Sequence, residues 1–364
     1  MSRSAASVES EQPAPSADGT FEPVQLATLQ VERCYDFDLY LKTEQAFSLY
    51  RARHAPFSEA DRQRLVANGL EVLFVRASDR MAYRKYLVGQ LEGIVTDERL
   101  PVQQRCEVTA RCARELAREL FSDPGELQLY EDTGRLVRST TTLVLREPDA
   151  VVGLAKMLRH DYYTSTHLIN VSTLSLLLAL RLGIRDEARL CRIGMGGLLH
   201  DIGKARIDPA ILNSPRRLTD REMSEMRRHP DYGMMIMMEM ETPEVGREVL
   251  RMIHQHHERL DGSGYPVGLC GEEIASCSRI CAVVDVYDAM TCKRPYRDAL
   301  PVQVALEHLV SQSGDRLDSE IVSAWLEIAP TLGEQQLAGI DDEPAGDDGE
   351  GSDEAIAAQK AADV

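Results

Sequence analysis

The chain has 364 residues, 43% hydrophobic and 27% charged, a profile of two or three globular domains and not of a fibrous or low-complexity protein. Its net charge of −18 is concentrated at the ends: residues 341–364 carry −8 and residues 1–20 carry −2, which leaves −8 on the body, too acidic to hold nucleic acid without a basic stripe that the sequence lacks. The longest apolar run, Val171 to Leu180, is half the roughly 20 residues of a membrane span, and residues 1–20 lack a secretory core, so the expectation is a cytoplasmic protein with no membrane span.

Residues 1–20, rich in Ser, Ala, Pro and Glu, predict a disordered tail. Residues 21–77 predict a small α+β module, with strands over Val24–Leu29, Cys34–Leu41, Ala46–Arg51 and Glu71–Val75 and a short helix capped by Ser58. The module has no phosphate-binding Gly loop, and its place before a helical stretch suggests regulation or homodimer formation. Residues 78–148 predict a helical connector, with helices over 78–95, 101–121 and 125–144, serving either as a stalk or as a first layer of the next domain. Residues 149–334 read as helix after helix, at 150–159, 164–181, 186–200, 219–228, 231–240, 244–257, 273–291, 302–312 and 318–328. Residues 335–364 form an acidic tail expected to be disordered. The fold class is therefore mainly α.

Eight Cys occur without a CxxC pair, and Cys277–Cys281 has no second pair to complete a zinc site, so reduced, mostly buried thiols are expected. Of nine His, seven fall between His160 and His257, interspersed with Asp. Imidazole and carboxylate together are donors for divalent transition metals, and an Asp can bridge two ions. The strings around them are distinctive. After Asp161-Tyr-Tyr-Thr-Ser-Thr-His167 come GMGGLLHDIGK at 194–204, RRHPDYG at 227–233, HHERLDGSGYP at 256–266, DVYDAMT at 285–291 and RPYR at 294–297.

In order and spacing these strings resemble the HD-GYP family, the branch of HD-domain phosphohydrolases that cleaves the bacterial second messenger cyclic di-GMP; the likeness covers about half the chain. The resemblance implies that His167, His200, Asp201 and Asp285 hold one metal, and that Asp201 bridges to a second held by His229, His256 and His257. It implies two divalent ions, iron or manganese, and a phosphodiester substrate. Lys204 would touch a phosphate oxygen, facing the site one helical turn after His200. Arg294 and Arg297 would clamp the substrate phosphates, and Tyr265 would lie beside the nucleotide. The resemblance also allows association with cyclase-type domains through the loop at 262–266.

Elementary chemistry agrees with that scheme. A phosphodiester is anionic, and two cations about 3.5–4 Å apart lower the pKa of a shared water and neutralise phosphoryl oxygens. Arg binds phosphate bidentately, and Gly262 and Gly264 would let the backbone turn sharply around Tyr265. One departure matters: family members proposed to hold three metals carry Glu four residues before the first metal His, where this chain has Tyr163. Two metals and the linear product pGpG are the expectation, with GMP in doubt. The Ser that often follows the first His is Leu168 here, a change of little weight.

Blander readings apply nearby. His160 and His254 are expected outside the ligand set, Glu258 as an orienter of His256 or His257, Asp261 as a loop former, and Asp288 as a partner of the site or a helix-face charge. The run MMIMMEM at 234–240 reads as core packing. Two alternatives to a cyclic di-GMP phosphodiesterase remain: a non-hydrolytic cyclic di-GMP sensor, which the complete ligand set disfavours, and a hydrolase of another nucleotide.

Overall fold

The computed structural model describes residues 20–43, 46–147, 150, 153–154, 164–214, 216–240, 245–292 and 299–337. The chain divides into two compact units, residues 1–89 and 90–364.

The first unit carries a four-stranded antiparallel sheet in the order β1-β6-β3-β4, formed by β1 (Phe21–Gln25), β3 (Leu39–Lys42), β4 (Phe47–Arg51) and β6 (Val72–Arg76). A two-stranded ribbon pairs β2 (Arg33–Cys34) with β5 (Pro56–Phe57). In β6, Leu73 and Val75 are buried while their neighbours are half-exposed, the period of two that gives a sheet one apolar face. Helix α1 (Glu59–Ala67) opens on a capping box: the Ser58 hydroxyl accepts from the Asp61 amide, and the Asp61 carboxylate accepts from the Ser58 amide.

Two expected strands are shorter than the pattern suggested. β1 stops at Gln25, where Leu26–Thr28 turns as a 3-10 helix and the Thr28 hydroxyl donates to the Gln25 carbonyl. The run 34–41 breaks into β2 and β3, and between them the Asp38 amide donates to Asp79 Oδ2 at 3.4 Å, a side chain in place of a neighbouring strand, while the Asp38 carboxylate accepts from the Arg53 amide at 2.6 Å.

Helix α2 (Arg80–Thr96) contains the division between the units, and α3 (Val102–Ser122) and α4 (Leu127–Arg146) follow. α3 packs against α5 (Thr164–Arg181), and α4 against α6 (Glu187–Leu199), so this pair forms a layer on the helices that follow instead of a stalk. Then come α7 (Pro209–Leu212), α8 (Asp220–Met226), α9 (His229–Met240), α10 (Arg247–Gln255), α11 (Ser276–Thr291), α12 (Val302–Gln312) and α13 (Ser319–Leu337). The helix expected at 150–159 lies mostly outside the described residues.

The core of this unit joins α5, α6 and α11 to α12 and α13, with Tyr287 edge-on to the fully buried Trp325 at 4.8 Å. α13 runs past its expected end at 328, through Pro330. The proline removes one backbone hydrogen bond, while Ala329 and Leu332 stay buried and hold the helix onto the core. The methionine run divides by helix face: Ile236 and Met237 are buried, whereas Met235 and Met238 are exposed, Met238 by 69%. The core-packing expectation therefore holds for Ile236 and Met237 and fails for Met235 and Met238. All eight cysteines are free thiols. No helix among the described residues is long and apolar enough to cross a membrane.

Candidate metal centre

Helix ends and close backbone contacts gather the candidate residues. His167 lies in the first turn of α5, and α6 ends at Leu199 so that His200 and Asp201 emerge from its C-terminus. A Cβ on Gly197 would stand 2.8 Å from the Ser172 Cα, so only glycine lets α6 approach α5 this closely. His229 starts α9, His256 and His257 follow the end of α10, and Asp285 and Asp288 lie on α11.

The structure brings all seven candidate ligands together in two adjoining groups. The donor atoms of Asp201, His229, His256 and His257 lie within 4.8 Å of one another, as do those of His167, His200 and Asp285. Asp201, a member of the first group, also faces the second through its other oxygen. Its Oδ1 faces His229 Nε2 at 3.1 Å and His256 Nε2 at 3.7 Å, while its Oδ2 faces His200 Nε2 at 3.4 Å and His167 Nε2 at 3.7 Å. Asp285 Oδ1 closes the second group at 3.2 Å from His167 Nε2 and 3.9 Å from His200 Nε2.

Backbone carbonyls fix the imidazole tautomers. Nδ1 of His200 meets the Gly197 carbonyl at 2.7 Å, Nδ1 of His229 the Met226 carbonyl at 2.8 Å, and Nδ1 of His256 the Met252 carbonyl at 3.0 Å. A carbonyl only accepts, so in each ring Nδ1 carries the proton and the Nε2 lone pair points inward. Asp288 holds the Nδ1 proton of His167: its Oδ2 lies 2.8 Å from Nδ1, while its Oδ1 accepts from Asn170 at 2.8 Å. Asp288 is thus a partner of the site, the arrangement in which an outer carboxylate orients a metal-binding His.

This donor set fits divalent cations. His229 Nε2 and His256 Nε2 face each other at 3.2 Å. With both Nδ1 atoms protonated, two lone pairs meet there beside a carboxylate oxygen, an arrangement that calls for a shared cation. His200 Nε2, Asp201 Oδ1 and both ring nitrogens of His257 are buried without a hydrogen-bond partner, a state buried polar atoms rarely tolerate. Burial holds His256 neutral, its pKa down to about 4, and pushes His257 well below the usual imidazole range. Burial would raise Asp201, but the Lys204 ammonium and His200 outweigh it and keep the carboxyl ionised. His167 is likewise pushed down by burial, yet Asp285 and Asp288 on either side carry its pKa up to about 9.

Lys204 donates to Asp201 Oδ2 at 2.7 Å. It reaches the site from a 3-10 segment, Ile202–Arg206, and not from one further turn of α-helix as its spacing from His200 suggested. Tyr265 stacks on His257 with ring centroids 4.6 Å apart, and Arg227 lies over the tyrosine ring at 5.4 Å. Of the loop glycines, Gly262 has φ +78°, as a sharp turn requires, whereas Gly264 serves for space: a Cβ there would sit 2.4 Å from the Arg259 amide nitrogen. Asp261 shapes the loop by accepting from the Ser263 amide and hydroxyl.

Glu258 does not orient either histidine; its carboxylate accepts from the amides of Val267, Gly268 and Leu269. His254 pairs with Asp231 outside both groups. Arg294, Arg297, His160 and Tyr163 lie outside the described residues. Sequence reasoning gave no role to Arg227 or Asn170; Arg227 stands two residues before His229, and Asn170 lies one turn after His167, spacing that could have drawn attention to both.

Residues 141–321 match the HD domain family model. The chain is 37% identical over 191 residues to a protein of Pseudomonas aeruginosa named cyclic di-GMP phosphodiesterase PA4108, covering 52% of this chain and 45% of that one. It is 35% identical over 162 residues to 3'3'-cGAMP-specific phosphodiesterase 3 of Vibrio cholerae, covering 44% and 34%. The matched stretch thus spans less than half the length of either relative. The solved structure of Bd1817, an HDG"Y"P protein from Bdellovibrio bacteriovorus, superposes with a TM-score of 0.61 at 21% identity, covering 85% of this chain and all of that one; this is a likeness of fold. With the His200–Asp201 doublet, the paired histidines and the Gly264-Tyr265-Pro266 loop assembled there, residues 141–321 of this chain belong to the HD-domain family.

Proposed function

We propose that this chain is a metal-dependent phosphodiesterase that hydrolyses cyclic di-GMP, with two divalent ions, iron or manganese, held by the seven His and Asp residues. The observation that carries this reading is the divided orientation of the Asp201 carboxylate, one oxygen toward His229 and His256 and the other toward His167 and His200. Bound there, the ions would activate a water and neutralise phosphoryl oxygens. The chain's own groups do the rest. The Lys204 ammonium sits at the inner rim, where an arriving phosphate can take it over from Asp201. Arg294 and Arg297, by resemblance, hold the outer phosphates, and Tyr265 forms the wall beside His257. Water adds to phosphorus, one ester bond breaks, and the leaving 3′ oxygen takes up a proton, opening the ring to pGpG. Tyr163, standing where three-metal members carry Glu, supports a stop at that product.

The Vibrio relative's printed substrate favours one second reading, hydrolysis of 3'3'-cGAMP at the same centre. The test is anaerobic purification, metal analysis and chromatography of products from both dinucleotides, with Asp201→Ala alongside. About two ions per chain, the number a two-metal site needs, and pGpG formed only by the wild type support the proposal. Preference for 3'3'-cGAMP moves the substrate assignment. Metal and cyclic di-GMP bound without turnover point to a sensor, and absence of both overturns the reading.

A further inference from the structure

One buried carboxylate beside the centre has no part in the scheme above. Glu258 directly follows His256 and His257 and is 2% exposed. Both of its oxygens are engaged by consecutive amides of the returning loop: Oε1 accepts from Val267 at 2.8 Å and Gly268 at 3.2 Å, and Oε2 from Gly268 at 3.0 Å and Leu269 at 3.0 Å. Hydrogen bonds to an ionised acceptor are roughly twice as strong as neutral ones, so this is a strong attachment for a surface loop. It also leaves Glu258 no oxygen turned toward a cation.

The loop so held carries Tyr265. Its start is shaped by Asp261, which accepts from Ser263 at 2.9 Å, and its base is closed by the pairing of Asp261 with Cys270. Between these points the chain doubles back over 257–259, close enough that Gly264 has no room for a Cβ against the Glu258 Cα. The Tyr265 amide donates to the His257 carbonyl at 3.3 Å, and its ring stacks on the His257 imidazole. Of these contacts, the Glu258 carboxylate alone is a buried side-chain charge tying the segment of the two histidines to the far limb of the loop.

We propose that Glu258 is a positioning residue that sets where Tyr265 lies over His257, and so how tightly the substrate is seated beside the metals. The inference rests on the phosphodiesterase reading for its kinetic consequence, but not for its structural one. Metal-loaded full-length wild type, Glu258→Gln, Tyr265→Ala and the double variant are compared by metal content, by KM and kcat for cyclic di-GMP, and by hydrogen–deuterium exchange over residues 259–270.

Glu258→Gln keeps the size but loses the charge and turns an amide donor toward N–H groups. Expected are unchanged metal content, exchange of the loop amides faster by about tenfold or more, and a KM higher by a similar factor with kcat falling less. The double variant is expected to be no worse than Tyr265→Ala, because both changes act through one contact. An unchanged KM in Glu258→Gln overturns the proposal, as do losses that multiply in the double variant or a parallel loss of metal. If the wild type turns over no cyclic dinucleotide, the phosphodiesterase reading falls, and exchange alone decides the role of Glu258: unchanged protection overturns it.

Discussion

Gly203→Ala is the smallest change expected to dismantle the metal centre without touching a ligand. A Cβ at this position would lie 1.9 Å from the His229 carbonyl oxygen and 2.4 Å from the Gly233 amide nitrogen. These two atoms are the i and i+4 groups of the first turn of α9, so the methyl would push into backbone that cannot rotate away. A carbon–oxygen contact of this kind settles near 3.3 Å, which demands a displacement of about 1.4 Å between the 202–206 segment and α9. Asp201 precedes one side of that contact and His229 belongs to the other, and their facing atoms are 3.1 Å apart. Metal sites tolerate about 0.2 Å in ligand distance, so the shift exceeds the tolerance several times over.

Overpacking of this kind costs about 1–3 kcal/mol, near 3–10 °C in Tm for a unit of this size. Gly93→Ala is the control: nothing lies within 4 Å of its Cβ, and Ala in a helix interior gains about 0.5–1 kcal/mol over Gly. Thermal unfolding and metal analysis of the two variants check the argument. A Gly203→Ala protein that melts with the Gly93→Ala control and binds metal like the wild type would refute it.

Asp201→Asn preserves shape but removes the charge that faces both groups; on the two-metal proposal, loss of both ions and a fall in turnover of about 100-fold or more are expected, read by metal analysis and product formation. Asp288→Asn removes the anion that orients His167 and should weaken metal binding in the His167–His200–Asp285 group by about 10–100-fold, so that on the two-metal proposal the stoichiometry falls from two toward one at limiting metal. The same two groups should load with different pH dependence. His167, with its pKa raised to about 9, is protonated at neutral pH without metal, so affinity of its group climbs by about tenfold per pH unit and flattens above 9. His256, lowered to about 4, has already lost its proton, so above pH 5 it adds no pH dependence to the other group. Calorimetric titration with manganese at several pH values checks the contrast, and equal slopes for the two groups would contradict it.

Much of the helical unit is legible because its signals are local. The 3.6-residue period predicts α12 over 302–312 and α5 over 164–181, where the structure has them. Ser58 with Asp61 spells out the start of α1. The ligand candidates are legible for another reason: imidazoles and carboxylates have few bland uses in such density, and the strings that hold them are distinctive. What the sequence conceals is what backbone atoms do. The carbonyls of Gly197, Met226 and Met252 fix three imidazole tautomers, yet every residue has a carbonyl and none leaves a mark in the sequence. Lys204 has its spacing read as an α-turn because nothing in His-Asp-Ile-Gly-Lys announces a 3-10 segment; Gly203 announces only closeness, and what it is close to lies 26 residues away.

Glu258 shows the same limit from the side of charge. Its neighbours in sequence are histidines, so orienting them is the local guess, but a carboxylate bonds to whichever donors the fold delivers. Here the returning loop delivers three amides, which carry no side-chain signature. Gly264 makes that return possible by leaving space and not by bending, and the two residues together carry Tyr265 to His257. The candidate ligands of such a centre can therefore be read from side-chain identity, whereas the geometry that brings them together is written in backbone contacts between segments distant in the chain.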